Sequence, residues 1–197
     1  MIAIVDYGAG NLRSVTNALD FLSEKYIITD KTTDLKKADK IIFPGVGSFG
    51  DCMKSLEEKG LIDTLKEQAS SKPFLGLCLG LQVLFEGSDE SKGVKGLSIF
   101  RGRCERFTRL KVPQIGWNSI RIIKKNSILD NVRDNAYFYF VHSFFPIPKD
   151  KEVILTETEY GIKYCSSIAK DNIYAFQFHP ERSGEVGLNI LKNFIRL

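Results

Sequence analysis

The first half of the chain alternates short apolar segments with longer segments whose apolar residues recur every three or four positions. The short segments are typical of buried strands, and the longer ones are typical of helices with one apolar face. This alternation predicts βαβ units and a parallel sheet covered by helices on both faces. The expected strands are Met1–Asp6, Tyr26–Thr29, Lys40–Phe43 and Pro73–Leu77, and the expected helices are Leu12–Leu22, Phe49–Glu58, Leu61–Ala69 and Leu79–Phe85.

The second half differs, because its apolar segments are β-branched or aromatic and are separated by turn residues. This pattern predicts an antiparallel sheet added to the parallel one. The expected strands are Ile99–Phe107, Ser119–Ile123, Tyr137–Val141, Val153–Glu157, Lys163–Ala169 and Ile173–Phe178, followed by a helix at Val186–Ile195. We therefore expect an α/β fold with a mostly parallel central sheet, helices on both of its faces and an added antiparallel sheet, and we expect residues 1–197 to form one domain.

Charge and hydropathy exclude several classes of function. The net charge of +4, from 28 basic and 24 acidic residues, is too small and too dispersed for a nucleic-acid-binding surface. No segment approaches the roughly 18 apolar residues of a membrane-spanning helix, and the apolar opening run ends at Asp6, too early for a signal peptide. We expect a cytoplasmic protein without a membrane or nucleic-acid partner.

Metal ions and nucleotide cofactors are not expected either. The four cysteines and two histidines stand far apart, without the close spacing of metal ligands. Gly45, Gly47 and Gly50 match the spacing of a dinucleotide-binding turn, but the next strand runs into Cys78 rather than into an acidic residue for the ribose. The exposed N–H groups of such a turn suit instead an oxyanion or a ligand carboxylate.

The most informative segment is Gly76-Leu77-Cys78-Leu79-Gly80, which follows an apolar strand and precedes a helical pattern. A nucleophile on a sharp strand-to-helix turn projects above the sheet, and small flanking residues let the backbone tighten. The N-terminus of the helix would stabilise a thiolate. The alternative is a buried structural cysteine, and the flanking glycines favour the nucleophile.

A thiolate nucleophile needs a base, and the base needs a group that orients it. His179 and Glu181 follow the apolar segment Ile173–Phe178, so another strand end would bring His179 close to Cys78. The Glu181 carboxylate would then fix the tautomer of the imidazole. The other histidine, His142, lies inside an aromatic block and is more typical of a structural residue.

These motifs occur in an order that resembles the class I (triad) glutamine amidotransferases. The resemblance rests on Pro44–Gly50, Gly76–Gly80, Gln82 and Phe178–Glu181. Further landmarks run nearly from end to end and are similar to family members that supply ammonia to a separate synthase subunit: Asp6–Asn11, Gly116–Asn118, Tyr139–Ser143 and Gln177–Arg182.

The resemblance implies that the protein hydrolyses glutamine. Cys78, activated by His179 and Glu181, would attack the side-chain amide, release ammonia and form a thioester that water cleaves to glutamate. By the family pattern, the backbone N–H groups that hold the oxyanion belong to Leu79, Val46 and Gly47. The residues that would bind glutamine are Gly45, Gln82, Glu90, Ser143 and Phe144, with Glu90 facing the α-ammonium group.

The resemblance also implies a partner and no cofactor. The ammonia would cross an interface into a (β/α)₈-barrel synthase subunit that forms a heterodimer with this chain. Asn11, Trp117 and Tyr139 are the residues expected to face that partner. Ammonia released into open water at neutral pH would be protonated, so a dry passage to the acceptor is needed.

Three other interpretations stay open. Pro113-Gln114-Ile115 stands where histidine and methionine are expected from the biosynthetic subunit, which is compatible with a paralogue that supplies ammonia for amidation of surface sugars. A DJ-1/PfpI-like cysteine hydrolase would keep the turn at Cys78 but need neither Gln82 nor the His179–Glu181 pair. A non-catalytic binding subunit would need none of the three triad groups.

Overall fold

The computed structural model describes all 197 residues. Twelve strands form one large sheet and two small ones: β1 (Ile2–Val5), β2 (Tyr26–Thr29), β3 (Lys40–Gly45), β4 (Phe74–Cys78), β5 (Gly102–Arg106), β6 (Gln114–Ser119), β7 (Arg121–Ile122), β8 (Tyr137–His142), β9 (Phe144–Pro148), β10 (Ile154–Glu159), β11 (Lys163–Lys170) and β12 (Ile173–Phe176). The helices are α1 (Leu12–Phe21), α2 (Thr32–Lys37), α3 (Phe49–Glu58), α4 (Ile62–Ser71), α5 (Leu79–Gln82) and α6 (Gly184–Arg196).

The large sheet has eight strands in the order β2-β1-β3-β4-β12-β11-β10-β7. The first five run parallel, and β11, β10 and β7 continue the sheet in antiparallel pairs. Two short antiparallel ladders, β5-β9 and β6-β8, complete the structure. The mostly parallel central sheet with antiparallel additions is therefore confirmed.

Two hydrophobic cores lie on opposite faces of this sheet. Along β1, Ala3 and Val5 pack into one core, while Ile2 and Ile4 pack into the other, as the two-residue period of a strand requires. Helices α2, α3 and α4 cover the first face, and α1 and α6 cover the second. Because both faces are buried, the parallel strands are continuously apolar, which is the pattern seen in the sequence.

The predicted elements differ from the structure in four places. Strand β9 contains Pro146 and Pro148, which break the pattern of a strand but are tolerated in a two-stranded ladder. The strand expected at Ser119–Ile123 corresponds to β7, whereas β6 and the short helix α2 were not predicted. The helix after Cys78 was expected to reach Phe85, but α5 ends at Gln82.

None of the six helices combines the length and the apolar character that crossing a bilayer requires.

Candidate active site

Cys78 is the last residue of β4 and stands on a sharp turn into α5. Its backbone has φ 53° and ψ −105°, a left-handed conformation that non-glycine residues adopt only under constraint. The flanking glycines explain how the turn closes. A Cβ on Gly76 would come 2.7 Å from the carbonyl oxygen of Gly80, and a Cβ on Gly80 would overlap the carbonyl oxygen of Phe43. The glycine-flanked cysteine is thus required by the close approach of α5 to β3 and β4.

The parallel sheet brings the histidine to the same edge. Strands β12 and β4 are parallel neighbours, with Phe176 beside Leu77, so the segments that follow them leave the sheet at the same carboxyl edge. His179 follows β12 by three residues, and its backbone N–H donates to the carbonyl of Tyr139 (2.9 Å). Its ring Nδ1 lies 2.7 Å from Oε1 of Glu181, and both side chains are only 3% exposed. This pairing fixes the imidazole and leaves Nε2 as its free nitrogen.

The pKa of His179 reports the charges around it. Burial lowers the pKa, but electrostatic interactions with Cys78 and with Glu181 outweigh burial and raise it to about 10. Nε2 is buried and has no hydrogen-bond partner. Cys78, His179 and Glu181 are therefore buried neighbours at the carboxyl edge of the sheet.

Gln177 is a member of this cluster that the sequence analysis missed. Its buried Nε2 lies 3.6 Å from Sγ of Cys78, and its Oε1 accepts from Nε2 of Gln82 (3.1 Å). Gln82 Nε2 also donates to the carbonyl of Phe144 (2.9 Å). The one available signal was the position of Gln177 inside the segment that leads to His179, where a polar residue interrupts an apolar run.

A cavity of about 290 Å³ opens in front of Cys78, a size suited to a small polar molecule. Eight of the residues expected at the site line it: Val46, Gly47, Cys78, Leu79, Gln82, Glu90, Ser143 and Phe144. Gly45 is buried beside them, paired with Cys78 across β3 and β4. The predicted glutamine-binding and oxyanion residues thus surround one cavity.

Two of these residues are engaged in ways that the sequence did not indicate. The Glu90 carboxylate accepts from the backbone N–H of Phe49 at the start of α3 (2.7 Å), so one oxygen holds this helix while the side chain borders the cavity. The N–H of Val46, expected in the oxyanion hole, instead donates to the hydroxyl of Tyr7 (3.0 Å). In this conformation the Val46 N–H is therefore not available to an oxyanion.

His142 borders the cavity but has both ring nitrogens occupied. Nδ1 lies 2.8 Å from the carbonyl of Phe144, and Nε2 lies 3.1 Å from Oε1 of Gln114 and 3.2 Å from the hydroxyl of Tyr164. Burial lowers its pKa to about 4, so the ring is neutral at pH 7 and donates from Nδ1. His142 thus holds the Ser143–Phe144 turn, which agrees with its assignment as a structural histidine.

An exposed aromatic face lies next to the cavity on the β6-β8 ladder. We define it as Ile115, Trp117, Tyr137, Tyr139 and Val141, which occupy alternate positions along the two strands. Ile115, Trp117 and Tyr137 are each more than half exposed, and the Trp117 and Tyr139 rings pack edge to face at 6.3 Å. Val141 also lines the cavity, so the aromatic face reaches the site.

Arg182 packs on this face, whereas Asn11 contacts the first turn of α1. The Arg182 guanidinium stacks over the Tyr139 ring at 4.5 Å, close to Glu181 in the chain. Asn11 caps the N-terminus of α1 through its contacts with Ser14. Trp117 and Tyr139, two of the residues expected to face a partner, therefore lie side by side on the aromatic face.

Comparison with known proteins agrees with the site geometry. The profile of the family described as "Glutamine amidotransferase class-I" matches residues 3–197. Proteins named "Imidazole glycerol phosphate synthase subunit HisH" are similar over the whole chain. The protein from Methanocaldococcus jannaschii is 47% identical, covering 100% of both chains, and that from Chlorobaculum tepidum is 44% identical, covering 98% of both.

Solved structures are similar in fold. The chain matches a crystal structure of a glutamine amidotransferase with a TM-score of 0.78 at 17% identity, covering 100% of this chain and 98% of that one. It matches PurLQS from Thermotoga maritima with a TM-score of 0.75 at 19% identity, covering 99% and 97%. The chain belongs to the class-I glutamine amidotransferase family, in the group of the HisH subunits of imidazole glycerol phosphate synthase.

Proposed function

We propose that this enzyme hydrolyses glutamine with Cys78 as nucleophile, His179 as proton carrier and Glu181 as the group that orients the imidazole. The observation that carries this proposal is the buried pair in which Glu181 fixes Nδ1 at 2.7 Å and leaves Nε2 without a partner, in a ring whose pKa is raised by the neighbouring Cys78. The raised pKa of His179 supports an imidazolium that has a proton available for the leaving group.

The reaction then follows from these groups. The Cys78 thiolate adds to the carboxamide carbon, and the carbonyl electron pair moves to the oxygen. When the tetrahedral intermediate collapses, the C–N bond breaks and the leaving nitrogen takes the proton from Nε2 of His179, so that ammonia leaves. Water adds to the thioester while Nε2 accepts its proton, and glutamate is released with the thiolate restored.

The neighbouring groups fit the binding of glutamine. The Leu79 N–H, at the first position of α5, has no acceptor within its own helix and is suited to the oxyanion. Gln82, Glu90, Ser143 and Phe144 border the same cavity and would hold the α-ammonium and α-carboxylate groups. Gly45 contributes by allowing the turn to approach Leu79, where a Cβ would clash.

We propose further that the ammonia passes to a (β/α)₈-barrel cyclase subunit in a heterodimer that serves histidine biosynthesis. Relatives 40–47% identical are named as subunits of imidazole glycerol phosphate synthase, which supports this acceptor over the amidation of surface sugars. An exposed aromatic face that reaches the cavity is the kind of surface that a permanent partner covers. The complete triad and Gln82 weigh against a DJ-1/PfpI-like hydrolase and against a non-catalytic subunit.

Two further expectations belong to this proposal. We take residues 1–197 as one amidotransferase domain, because both cores pack against the same eight-stranded sheet. We take its location as the cytoplasm, because four buried free thiols are typical of a reducing compartment.

The experiment measures glutamine hydrolysis by the complex with the acceptor subunit and compares Cys78→Ala with Cys165→Ala, a buried cysteine on β11 outside the cavity. We expect Cys78→Ala to lower kcat by more than about 1000-fold, as removal of a nucleophile does elsewhere, and Cys165→Ala to keep activity near wild type. A diazo ketone analogue of glutamine should label Cys78 alone, as read by peptide mass. Hydrolysis that survives in Cys78→Ala would refute the proposal.

A further inference from the structure

Tyr7 lies just beyond the carboxyl end of β1, next to the turn that follows β3. Its hydroxyl donates to the carbonyl of Val46 (2.8 Å) and accepts from the N–H of the same residue (3.0 Å). The ring is buried, with 2% exposure, and packs edge to face on Phe43 at 5.8 Å. Its backbone carbonyl accepts from the hydroxyl of Ser55 on α3. The buried Tyr7 side chain is therefore bound through two hydrogen bonds to Val46, in the turn in front of Cys78.

The two hydrogen bonds from Tyr7 fix the orientation of the peptide groups on either side of Val46. In a trans peptide the C=O and N–H point in opposite directions. Because the Val46 N–H points toward Tyr7, the carbonyl of Gly45 points away from it. The sheet order is β1-β3-β4, so the side away from Tyr7 is the side of Cys78 and Leu79. The Gly45 carbonyl thus faces the region where a substrate oxygen would gain negative charge.

A carbonyl oxygen in that direction opposes the reaction. An oxyanion is stabilised by N–H donors and repelled by another oxygen, so this orientation weakens the oxyanion hole. Rotation of the Gly45–Val46 peptide would turn the Val46 N–H toward the Leu79 N–H and the carbonyl toward Tyr7. Glycine at position 45 permits the rotation, since it tolerates backbone angles that other residues do not.

We propose that Tyr7 is a positioning residue that holds the turn in its less active orientation, which deepens the proposed glutaminase function and rests on it. In the orientation seen here the hydroxyl both donates and accepts. After the rotation it keeps a donor bond to a carbonyl and loses the bond that it accepts from Val46. The hydroxyl therefore favours the orientation seen here by one hydrogen bond, and its removal shifts the population toward the rotated one.

The test is Tyr7→Phe, which removes one oxygen and keeps the buried ring. Glutamine hydrolysis by the isolated chain should rise about fivefold in kcat, the factor that corresponds to one typical net hydrogen bond, with KM little changed. Tyr174→Phe is the matched control, since Tyr174 donates to Asp171 at the opposite end of the sheet. Its hydrolysis rate should equal that of wild type.

A structural readout accompanies the kinetics. Val46 is 36% exposed, so its N–H in the wild type should owe its protection from hydrogen exchange to Tyr7. Exchange at Val46 should be slow in wild type and at least about fivefold faster in Tyr7→Phe. This measurement also works if the variant is too unstable for kinetics, because an unprotected Val46 amide in the wild type alone would overturn the proposal.

The outcomes separate this proposal from the proposed function. If the wild-type complex with its acceptor subunit does not hydrolyse glutamine, the proposed function fails. If the complex is active but Tyr7→Phe has equal or lower activity in the isolated chain, Tyr7 does not restrain the turn. A lower kcat would mean instead that Tyr7 supports the active orientation by directing the Gly47 N–H into the cavity.

Discussion

The two histidines of this chain have opposite pKa shifts although both are buried. His142 has only neutral partners, so burial lowers its pKa to about 4. For His179 the charges of Cys78 and Glu181 overcome burial and raise the pKa to about 10. Charged neighbours rather than burial therefore separate the proton carrier from the structural residue.

The stability of the fold should depend on pH through His142. Its pKa is lower in the folded state than the ordinary value of about 6.5, so its contribution is present above pH 6.5 and is lost as the pH falls toward 4. Linkage predicts a loss of about 3 kcal/mol across this window. Urea unfolding of wild type and His142→Gln, followed by circular dichroism, measures it.

The His142→Gln variant should be less stable than wild type at pH 7, but its free energy of unfolding should change less between pH 6.5 and 4. His179 provides the opposite sign, because its raised pKa adds stability below pH 6.5 that is lost as the pH rises toward 10. If the free energies of unfolding of wild type and His142→Gln fall in parallel between pH 6.5 and 4, the assignment of a neutral His142 is contradicted.

At the scale of elements, the β4–α5 turn is the most constrained connection in the fold. Helix α5 has four residues and packs so closely on β3 and β4 that its backbone touches theirs. The left-handed conformation of Cys78 is held in place by these contacts. Precise presentation of the sulfur therefore depends on the absence of side chains at Gly76 and Gly80.

Gly80→Ala should destabilise the protein by about 3 kcal/mol or more, because its Cβ would overlap the Phe43 carbonyl and the backbone must move. Gly60→Ala is the control. Gly60 also has a positive φ, of 64°, but no atom lies within 4 Å of the added Cβ, so the cost should be about 1 kcal/mol. Thermal and denaturant unfolding compare them, and equal losses would show that crowding at Gly80 is unimportant.

At the scale of the whole molecule, the cavity and the aromatic face share one end of the sheet. The carboxyl ends of β3, β4 and β12 supply the turn, the nucleophile and the histidine, while the β6-β8 ladder stands beside them. Val141 belongs both to the cavity wall and to the aromatic face. A partner that covers this face would therefore also close the cavity from solvent, which suits the transfer of uncharged ammonia.

Trp117→Ala should weaken binding of the acceptor subunit at least about tenfold, as loss of a large aromatic anchor at an interface does. Phe21→Ala is the matched control, since Phe21 is an aromatic residue 74% exposed at the far end of α1. Calorimetric titration of the purified subunits measures both affinities. Equal weakening by the two variants, or none by Trp117→Ala, would show that the partner binds elsewhere.

Much of the fold and the triad can be predicted from the sequence because their signals are local or repeated. Apolar periodicity predicts β1, α1, β3, α3 and β4 within a few residues, and the glycines around Cys78 predict the sharp turn. Strand β9 cannot be predicted in this way, because its two prolines disfavour a strand. It forms because it pairs with β5 in the folded structure. The short α2 has too few residues to show a period.

The amino-acid sequence by itself determined the alternation of elements, the strained cysteine turn and the presence of a histidine and an acid able to complete it. The tertiary structure alone decided which distant groups meet: Tyr7 with Val46 across 39 residues, and Gln177 with Cys78 across 99. Such contacts depend on the order of strands in the sheet, which is set by packing of both faces at once. No local pattern of residues encodes that order, because the parallel strands β1, β3, β4 and β12 are similarly apolar.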